Sequence, residues 1–236
     1  MKLSILMPVF NEANTLEESI RRVRGVAFPK EIIAVDDGST DGSCEILKRL
    51  ETEAREKGAA ENDFKLILQP FNQGKGAAIR AGLAHVTGDV VIIQDSDLEY
   101  DPRDYPNLLE PILAGHADVV FGTRFSGGGP HRVLFFWHSL GNRLLTLFSN
   151  ALTNLNLTDM EVGYKAFRTE IIKGMKLESN RFGFEPEVTV KVAKKKCRLY
   201  EVPISYHGRT YAEGKKITWK DGVVALYCLV RYWVKD

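Results

Sequence analysis

Residues Val90–Pro102 read VVIIQDSDLEYDP. Four apolar residues in a row, without the alternation of a half-solvated strand, mark a strand covered on both faces, and such strands belong to parallel sheets. The run then meets Asp95, Asp97, Glu99 and Asp101, carboxylates at every second position. In open α/β sheets ligands bind at the carboxyl ends of strands, so charge at this mouth points to a cation or a ligand there. Alternate side chains of an extended segment face one side, so Asp95 and Asp97 can share one cation. Hard oxygen donors suit Mg²⁺ or Mn²⁺, and Mg²⁺ usually completes its shell with substrate phosphates. Taken alone, two such aspartates are equally readable as a solvated acidic turn. Asp101, before Pro102, reads as the cap of a following helix.

Working outward, LSILMP, EIIAVDD, FKLILQ, DVVIIQD and ADVVFGT read as strands separated by helix-like stretches. This βαβα alternation predicts an α/β fold, a mostly parallel sheet with helices on both faces. Helix starts are expected at Asn14 or Thr15 and at Asp41, and Gly58 is expected to end the charged helix EILKRLETEAREKG. Each predicted strand ends in a polar cluster: Pro8–Glu12 (PVFNE), Asp36–Gly42 (DDGSTDG), Asn72–Ala78 (NQGKGAA), Asp95–Asp97 and Gly122–Arg124. Stability alone does not call for five polar clusters on one edge.

Length and composition bound the rest. The 236 residues suit one domain, a first half 1–123 around these clusters and a second half 124–236 that elaborates the sheet. A net charge of +1 gives no general pull toward nucleic acid. Cys44, Cys197 and Cys228, odd in number and far apart, offer neither a disulfide framework nor a zinc pattern, which fits a reducing cytoplasm. MKLSILMPVF meets Pro8 too early for a secretory signal, and Val223–Val234 is far short of the roughly 20 residues needed to cross a bilayer. That segment, within an expected helix 219–234, is a core helix or an interfacial one. The aromatic-rich VLFFWHSLGNRLLTLFSNAL is open to the same two readings, with core packing favoured for each segment by itself. NQGKGAAIRAGL lacks the upstream glycine and Ser/Thr of a P-loop, and Ile79 stands where a dinucleotide fingerprint has its third glycine. It keeps a lysine, Lys75, and a glycine, Gly76, at a helix start that can approach an anion closely; a plain turn before a helix is the other reading.

MPVFNE, VDDGSTDG, NQGKGAA, QDSDLEYDP, GTRF and LTDMEVGYKAFR in this order resemble the family-two inverting glycosyltransferases of the A-type (GT-A) fold. The likeness covers nearly the whole chain and is narrower toward the dolichyl-phosphate mannose and glucose synthase branch. It implies a single Rossmann-like domain that takes a hexose from a nucleotide sugar, of the GDP-mannose or UDP-glucose type, to a polyprenyl monophosphate. It places the nucleotide on Pro8, Glu12, Asp36 and Asp37, and the metal on Asp95 and Asp97; Asn11, Lys75, Gly76, Asp95, Ser96 and Arg132 are the further candidates for the donor site. Glu99 stands where the mannose synthases often have Gln and offers a third, more charged ligand. Asp159 matches the family's acceptor-side aspartate. The basic pair usual in these relatives is missing from RVLFFWHSLGN, which leaves Arg132 and His138 as the nearest basic residues.

A phosphate monoester is largely ionised near neutral pH, its second pKa being about 6, so such an acceptor needs no general base. It needs a cation against the repulsion of two anions; Arg124 is the first candidate and Arg132 the second, because guanidinium grips phosphate in two places. Asp97, Arg124 and Asp159 are the expected catalytic set. A lipid acceptor would account for the aromatic segments and for Arg209, Lys215, Lys216 and Lys220 as contacts to acidic headgroups. The expected partners are then the nucleotide sugar, a polyprenyl phosphate, the cytoplasmic face of a membrane met peripherally, and a small membrane protein; nucleic acid is not among them. Glu185 and Glu187 could meet sugar hydroxyls or anchor a helix start. Two alternatives stay open: transfer to a glycan hydroxyl, which needs an acidic base near Asp159, and a non-enzymatic sugar-nucleotide or membrane-surface binding module.

Overall fold

A computed structural model describes residues 1–56, 64–126, 132–133, 135–210 and 219–235. The chain divides into two compact units, Met1–Leu98 with Ala166–Arg181, and Glu99–Lys165 with Phe182–Asp236.

The first unit is built on strands β1 (Leu3–Val9), β2 (Lys30–Asp36), β3 (Phe64–Leu68), β4 (Val90–Ile93) and β6 (Lys165–Arg168), in the order β3-β2-β1-β4-β6. β1 pairs in parallel with β2 on one side and β4 on the other, and β2 with β3. Parallel neighbours need crossovers, supplied here by α1 (Leu16–Arg24), α2 (Ser43–Glu56) and α3 (Lys75–Leu83). Leu3, Ile5, Leu6, Ile32, Val35, Val91, Ile92 and Ile93 are wholly buried, which accounts for the unbroken apolar runs of β1, β2 and β4. Burying each is worth about 1.5–3 kcal/mol. Strand order reverses at β1, and the registered pairing of β1 with β4 stops at Leu6–Ile93 while β1 runs on to Val9. The open side beyond Leu6 both tolerates Pro8, which has no N–H to donate, and forms the crevice where such sheets bind ligands.

Thr15 sits at the N-terminal end of α1, but its hydroxyl bonds Glu12 and the carbonyl of Ser96 rather than the helix. Asp41 does cap α2, accepting from Ser43 N at 3.0 Å and from the Ser43 hydroxyl at 2.6 Å. Gly58, expected to end α2, lies outside the described residues. After β6 the short α6 (Thr169–Lys173) is tied back by Thr169 N to the carbonyl of Asp89 and by Lys173 Nζ to that of Val86.

The second unit pairs β5 (Val119–Thr123) in parallel with β7 (Leu199–Pro203). Its helices are α4 (Tyr105–Leu113), α5 (Phe136–Thr153), α7 (Phe184–Lys194) and α8 (Trp219–Lys235). Asp101 caps the 3₁₀ turn Pro102–Asp104 that leads into α4, accepting from Arg103 N at 2.9 Å, as its place before proline predicts. Met160, Val190, Cys228, Leu229 and Tyr232 form a small core with Leu145 and Leu152 packed against it.

Helix α5 departs from expectation. Its buried residues are Thr146, Ser149 and Thr153, whereas Phe136, Trp137, Leu144, Leu147 and Phe148 are exposed, Trp137 at 76%. Hydrogen bonds serve part of the inner face: Thr146 Oγ1 accepts from Met160 N, and Asn150 exchanges two bonds with the backbone of Leu157. Core packing therefore accounts for only part of this segment: Leu145 and Leu152 pack against the small core, while most of the large apolar side chains face outward. α8 buries Ala225, Cys228, Leu229 and Tyr232, and still exposes Val223, Val224, Leu226, Tyr227, Val230, Trp233 and Val234. Among the described residues no helix is long and apolar enough to cross a membrane.

Candidate functional site

In the first unit the strand ends converge as their sequence predicts. Asn11 takes a left-handed conformation (φ 53°), one that Asn tolerates better than most residues. It is pinned by Ser39 Oγ on its N–H and by Thr40 N on its Oδ1. Glu12, 8% exposed, has its N–H bonded to Ser43 Oγ, which joins the end of β1 to the start of α2. Ser96 is buried beside Pro8, its hydroxyl 3.4 Å from the Pro8 carbonyl.

The two aspartates after β2 do different work. Asp37 accepts from Gln73 N and Gly74 N, both at 2.7 Å, and so ties the Asn72–Gly76 loop to the sheet. Asp36 is 3% exposed; its Oδ2 meets Ser39 N at 3.3 Å, and its Oδ1 is buried without a hydrogen-bond partner. Leaving a buried acceptor unsatisfied costs about 1–3 kcal/mol. A ligand N–H, such as those on nucleobase edges, would satisfy it.

The glycines of NQGKG also have a packing reason. Gly74 has φ +102°, and a Cβ on Gly76 would collide with the carbonyl oxygen of Ser179. The first turn of α3 already donates Ala77 N to the carbonyl of Asn180 at 3.0 Å. Lys75, the first residue of α3, sends its ammonium to the carboxylate of Asp95, 2.9 Å from Oδ1 and 3.0 Å from Oδ2. Asp95 thus already holds a cation, and it is half-buried along with Asp97 two residues on. Among the described residues no group of three or more His, Cys, Asp or Glu is placed to hold a metal ion. The donor set fits a dication of the Mg²⁺ type only as one or two protein carboxylates plus ligand oxygens, a common arrangement for that ion.

The second unit holds the other expected residues. Arg124, after β5, grips Asp159 with two bonds, Nε to Oδ2 at 2.6 Å and Nη2 to Oδ1 at 2.7 Å. Asp159 is fully buried and also accepts from Arg124 N and from Asn142 Nδ2 on α5. Burial works against the Arg124 charge, but Asp159 outweighs it and holds the guanidinium firmly protonated. Its Cζ lies 5.2 Å from the centre of the Tyr206 ring. Tyr206 in turn donates to Glu99 Oε2 at 3.1 Å, and burial together with Glu99 pushes its phenol up to about 12. Glu99 Oε1 accepts from Arg209 N at 2.8 Å, so this carboxylate is engaged within its own unit. Arg132 Nη1 reaches the carbonyl of Gly208 at 2.8 Å, one residue before Arg209. The glycine-rich loop before Arg132 and the basic residues Lys215 and Lys216 lie outside the described residues, as does the side chain of Lys220.

Glu161 and Asn142 lie inside LTDMEVGYKAFR and RVLFFWHSLGN without being singled out there, and Tyr206 lies in none of the quoted motifs. Burial first, then the charge of Glu185, raises the Glu161 carboxyl from 4.5 to about 8, with Lys165, Arg124 and Asp159 also acting on it. Its place two residues after Asp159 is the one local signal that could have singled it out. Glu187 is committed to Lys191 Nζ at 2.9 Å, a buried pair within α7, which leaves Glu185 as the acid of FEPE coupled to Glu161.

The order of parallel strands, the crevice beyond Leu6 and the acidic end of β4 define the A-type glycosyltransferase fold, an α/β fold with a mostly parallel sheet. Glucosyl-3-phosphoglycerate synthase from Mycobacterium tuberculosis, solved with Mn²⁺, UDP and phosphoglyceric acid, matches over 99% of this chain and 78% of its own, with a TM-score of 0.71 at 20% identity. Residues 4–175 match the model of glycosyl transferase family 2, and the chain belongs to that family. It is similar to dolichol-phosphate mannosyltransferase of Pyrococcus furiosus, 28% identical over 221 residues, 91% of this chain and 59% of that protein. Undecaprenyl-phosphate mannosyltransferase of Micrococcus luteus is 28% identical over 227 residues, 91% and 87% of the two chains. Glycosyltransferase AglJ of Haloferax volcanii is 31% identical over 206 residues, 87% of this chain and 63% of that protein. The chain spans about three fifths of the length of the Pyrococcus and Haloferax relatives.

Proposed function

We propose that this protein transfers a hexose from a nucleotide sugar, of the GDP-mannose or UDP-glucose type, to a polyprenyl or dolichyl monophosphate, with inversion and with Mg²⁺ or Mn²⁺. One observation carries the acceptor. Helix α5 contributes Asn142 to the buried Arg124–Asp159 pair on one face and shows a row of large apolar side chains on the other. A molecule with an anionic head and an apolar tail has that division. The similarity to two polyprenyl-phosphate mannosyltransferases supports the same class.

Each part of the chain then has a task. Asp36 receives the nucleobase on its unsatisfied oxygen, and Asn11 and Glu12 hold the loop that shapes the nucleoside site. Asp95 and Asp97 would hold the dication, which would supply positive charge to the diphosphate leaving group. Arg124, kept charged and fixed in orientation by Asp159, meets the acceptor phosphate, with Arg132 and Arg209 adding positive charge. The phosphate attacks the anomeric carbon from the face opposite the leaving group, and no proton has to be removed from it. The outward faces of α5 and α8 rest on the membrane interface, where Trp137, Tyr227 and Trp233 suit the boundary between headgroups and chains.

A second reading has its own support. A carboxyl raised to about 8 is suited to serve as a base, so Glu161 would deprotonate a hydroxyl if the acceptor were a glycan.

The test offers a panel of nucleotide sugars and polyprenyl phosphate with Mg²⁺ or Mn²⁺ to the protein and to its Asp97→Ala variant. Lipid-linked sugar formed by the first and strongly reduced in the second is the expected result. Product from neither, or equal product from both, sinks the proposal. Turnover with a glycan and none with the lipid, abolished in Glu161→Gln, selects the second reading.

A further inference from the structure

Lys75 is held in a frame that leaves its backbone little freedom. Asp37 fixes Gly74 N, Gly74 has a backbone only glycine adopts easily, Gly76 lies against Ser179, and Ala77 N is bonded to the carbonyl of Asn180. From that frame the ammonium reaches both oxygens of Asp95 at 2.9 and 3.0 Å, with the two side chains only 14% and 20% exposed. A dication ligated by Asp95 at about 2.1 Å would sit against this ammonium, and like charges that close and that poorly solvated repel strongly. A nucleoside diphosphate changes the balance, because its oxygens offer the ammonium a second anionic partner and offer the metal its missing ligands.

We propose that Lys75 is a resident counter-ion that keeps a divalent metal off Asp95 until the donor diphosphate arrives, so that metal and donor bind as a mutually dependent pair. This deepens the donor-site proposal and rests on Asp95 as a metal ligand. The lysine moves from carboxylate to phosphate as the metal enters, and the site does not capture metal alone. Coupling is reciprocal: whatever factor the diphosphate adds to metal affinity, the metal adds to diphosphate affinity.

The experiment measures Mn²⁺ binding to the full chain by the electron paramagnetic resonance of free Mn²⁺, and UDP and GDP binding by calorimetry with and without Mn²⁺. Lys75→Met keeps the apolar stem and removes the charge; Lys75→Gln repeats the test with a polar group, and thermal melts establish that both are folded. The wild type is expected to bind Mn²⁺ weakly by itself, with the preferred diphosphate and Mn²⁺ tightening one another by roughly 5- to 150-fold. Both variants are expected to bind Mn²⁺ without nucleotide about tenfold more tightly than the wild type and to show a smaller coupling factor. Unchanged or weaker nucleotide-free Mn²⁺ affinity in both variants overturns the role of Lys75. Asp95→Asn separates this from the broader proposal: Mn²⁺ binding as in the wild type with diphosphate present would remove Asp95 from the metal site itself.

Discussion

Asp159→Ala tests what the buried pair of the second unit contributes. Asp159 has no exposed side-chain surface, and its two oxygens take both guanidinium bonds of Arg124, the Arg124 N–H and Asn142. Removing it strands a guanidinium that is itself 16% exposed, and orphaning one member of a buried pair costs about 3–5 kcal/mol. At roughly 2–4 °C per kcal/mol for a chain of this size, the melting temperature should fall by roughly 6–20 °C. The same loss is not expected of Arg124→Ala with Asp159→Ala together, because the double variant leaves no uncompensated charge. The two effects should therefore fall short of adding, by about 0.5–3 kcal/mol in a double-mutant cycle. Calorimetric melts of the four proteins at one pH and salt concentration give the cycle. A drop under about 3 °C for Asp159→Ala, or two effects that simply add, would show that the pair is not energetically coupled and refute the reasoning.

Other substitutions probe separate features. Gly76→Ala drives a Cβ into the Ser179 carbonyl and should cost about 1–3 kcal/mol, whereas Gly141→Ala, with open space around it in α5, should be neutral or stabilise by up to about 1 kcal/mol; urea midpoints compare the two. Glu161, with its carboxyl raised from 4.5 to about 8, binds its proton more tightly folded than unfolded, so its contribution to stability is complete below about 4.5 and is lost as pH rises to about 8. Stability of Glu161→Gln relative to the wild type should accordingly improve between pH 5 and pH 8.5, and a pH-independent gap would be the contrary result. Trp137→Ser and Leu147→Ser remove side chains that are 76% and 66% exposed; both should melt as the wild type does and lose about tenfold or more in sedimentation with anionic lipid vesicles, each buried side chain being worth about 1.5–3 kcal/mol. Unchanged sedimentation would take the membrane away from α5.

The sequence by itself determined the strand-and-helix alternation of β1 to β5, the polar ends of those strands and the cap at Asp101. Each of these depends on residues within a few positions of one another: continuous apolar runs, a carboxylate before proline, clusters at the ends of runs. The family followed from the order of those clusters. Strand β6 was passed over, since KAFR (Lys165–Arg168) is too short and too mixed to show a period. Only the tertiary structure decided which way α5 faces. Periodicity reports that a helix has an apolar stripe and not what the stripe meets, and here Thr146 and Asn142 find partners inward while Phe136, Trp137, Leu144, Leu147 and Phe148 are turned out. Likewise Lys75 meets Asp95 across 20 residues of chain, and Glu161, in a turn, feels Glu185 on α7. Electrostatic partners are set by distance in space, which no local pattern encodes.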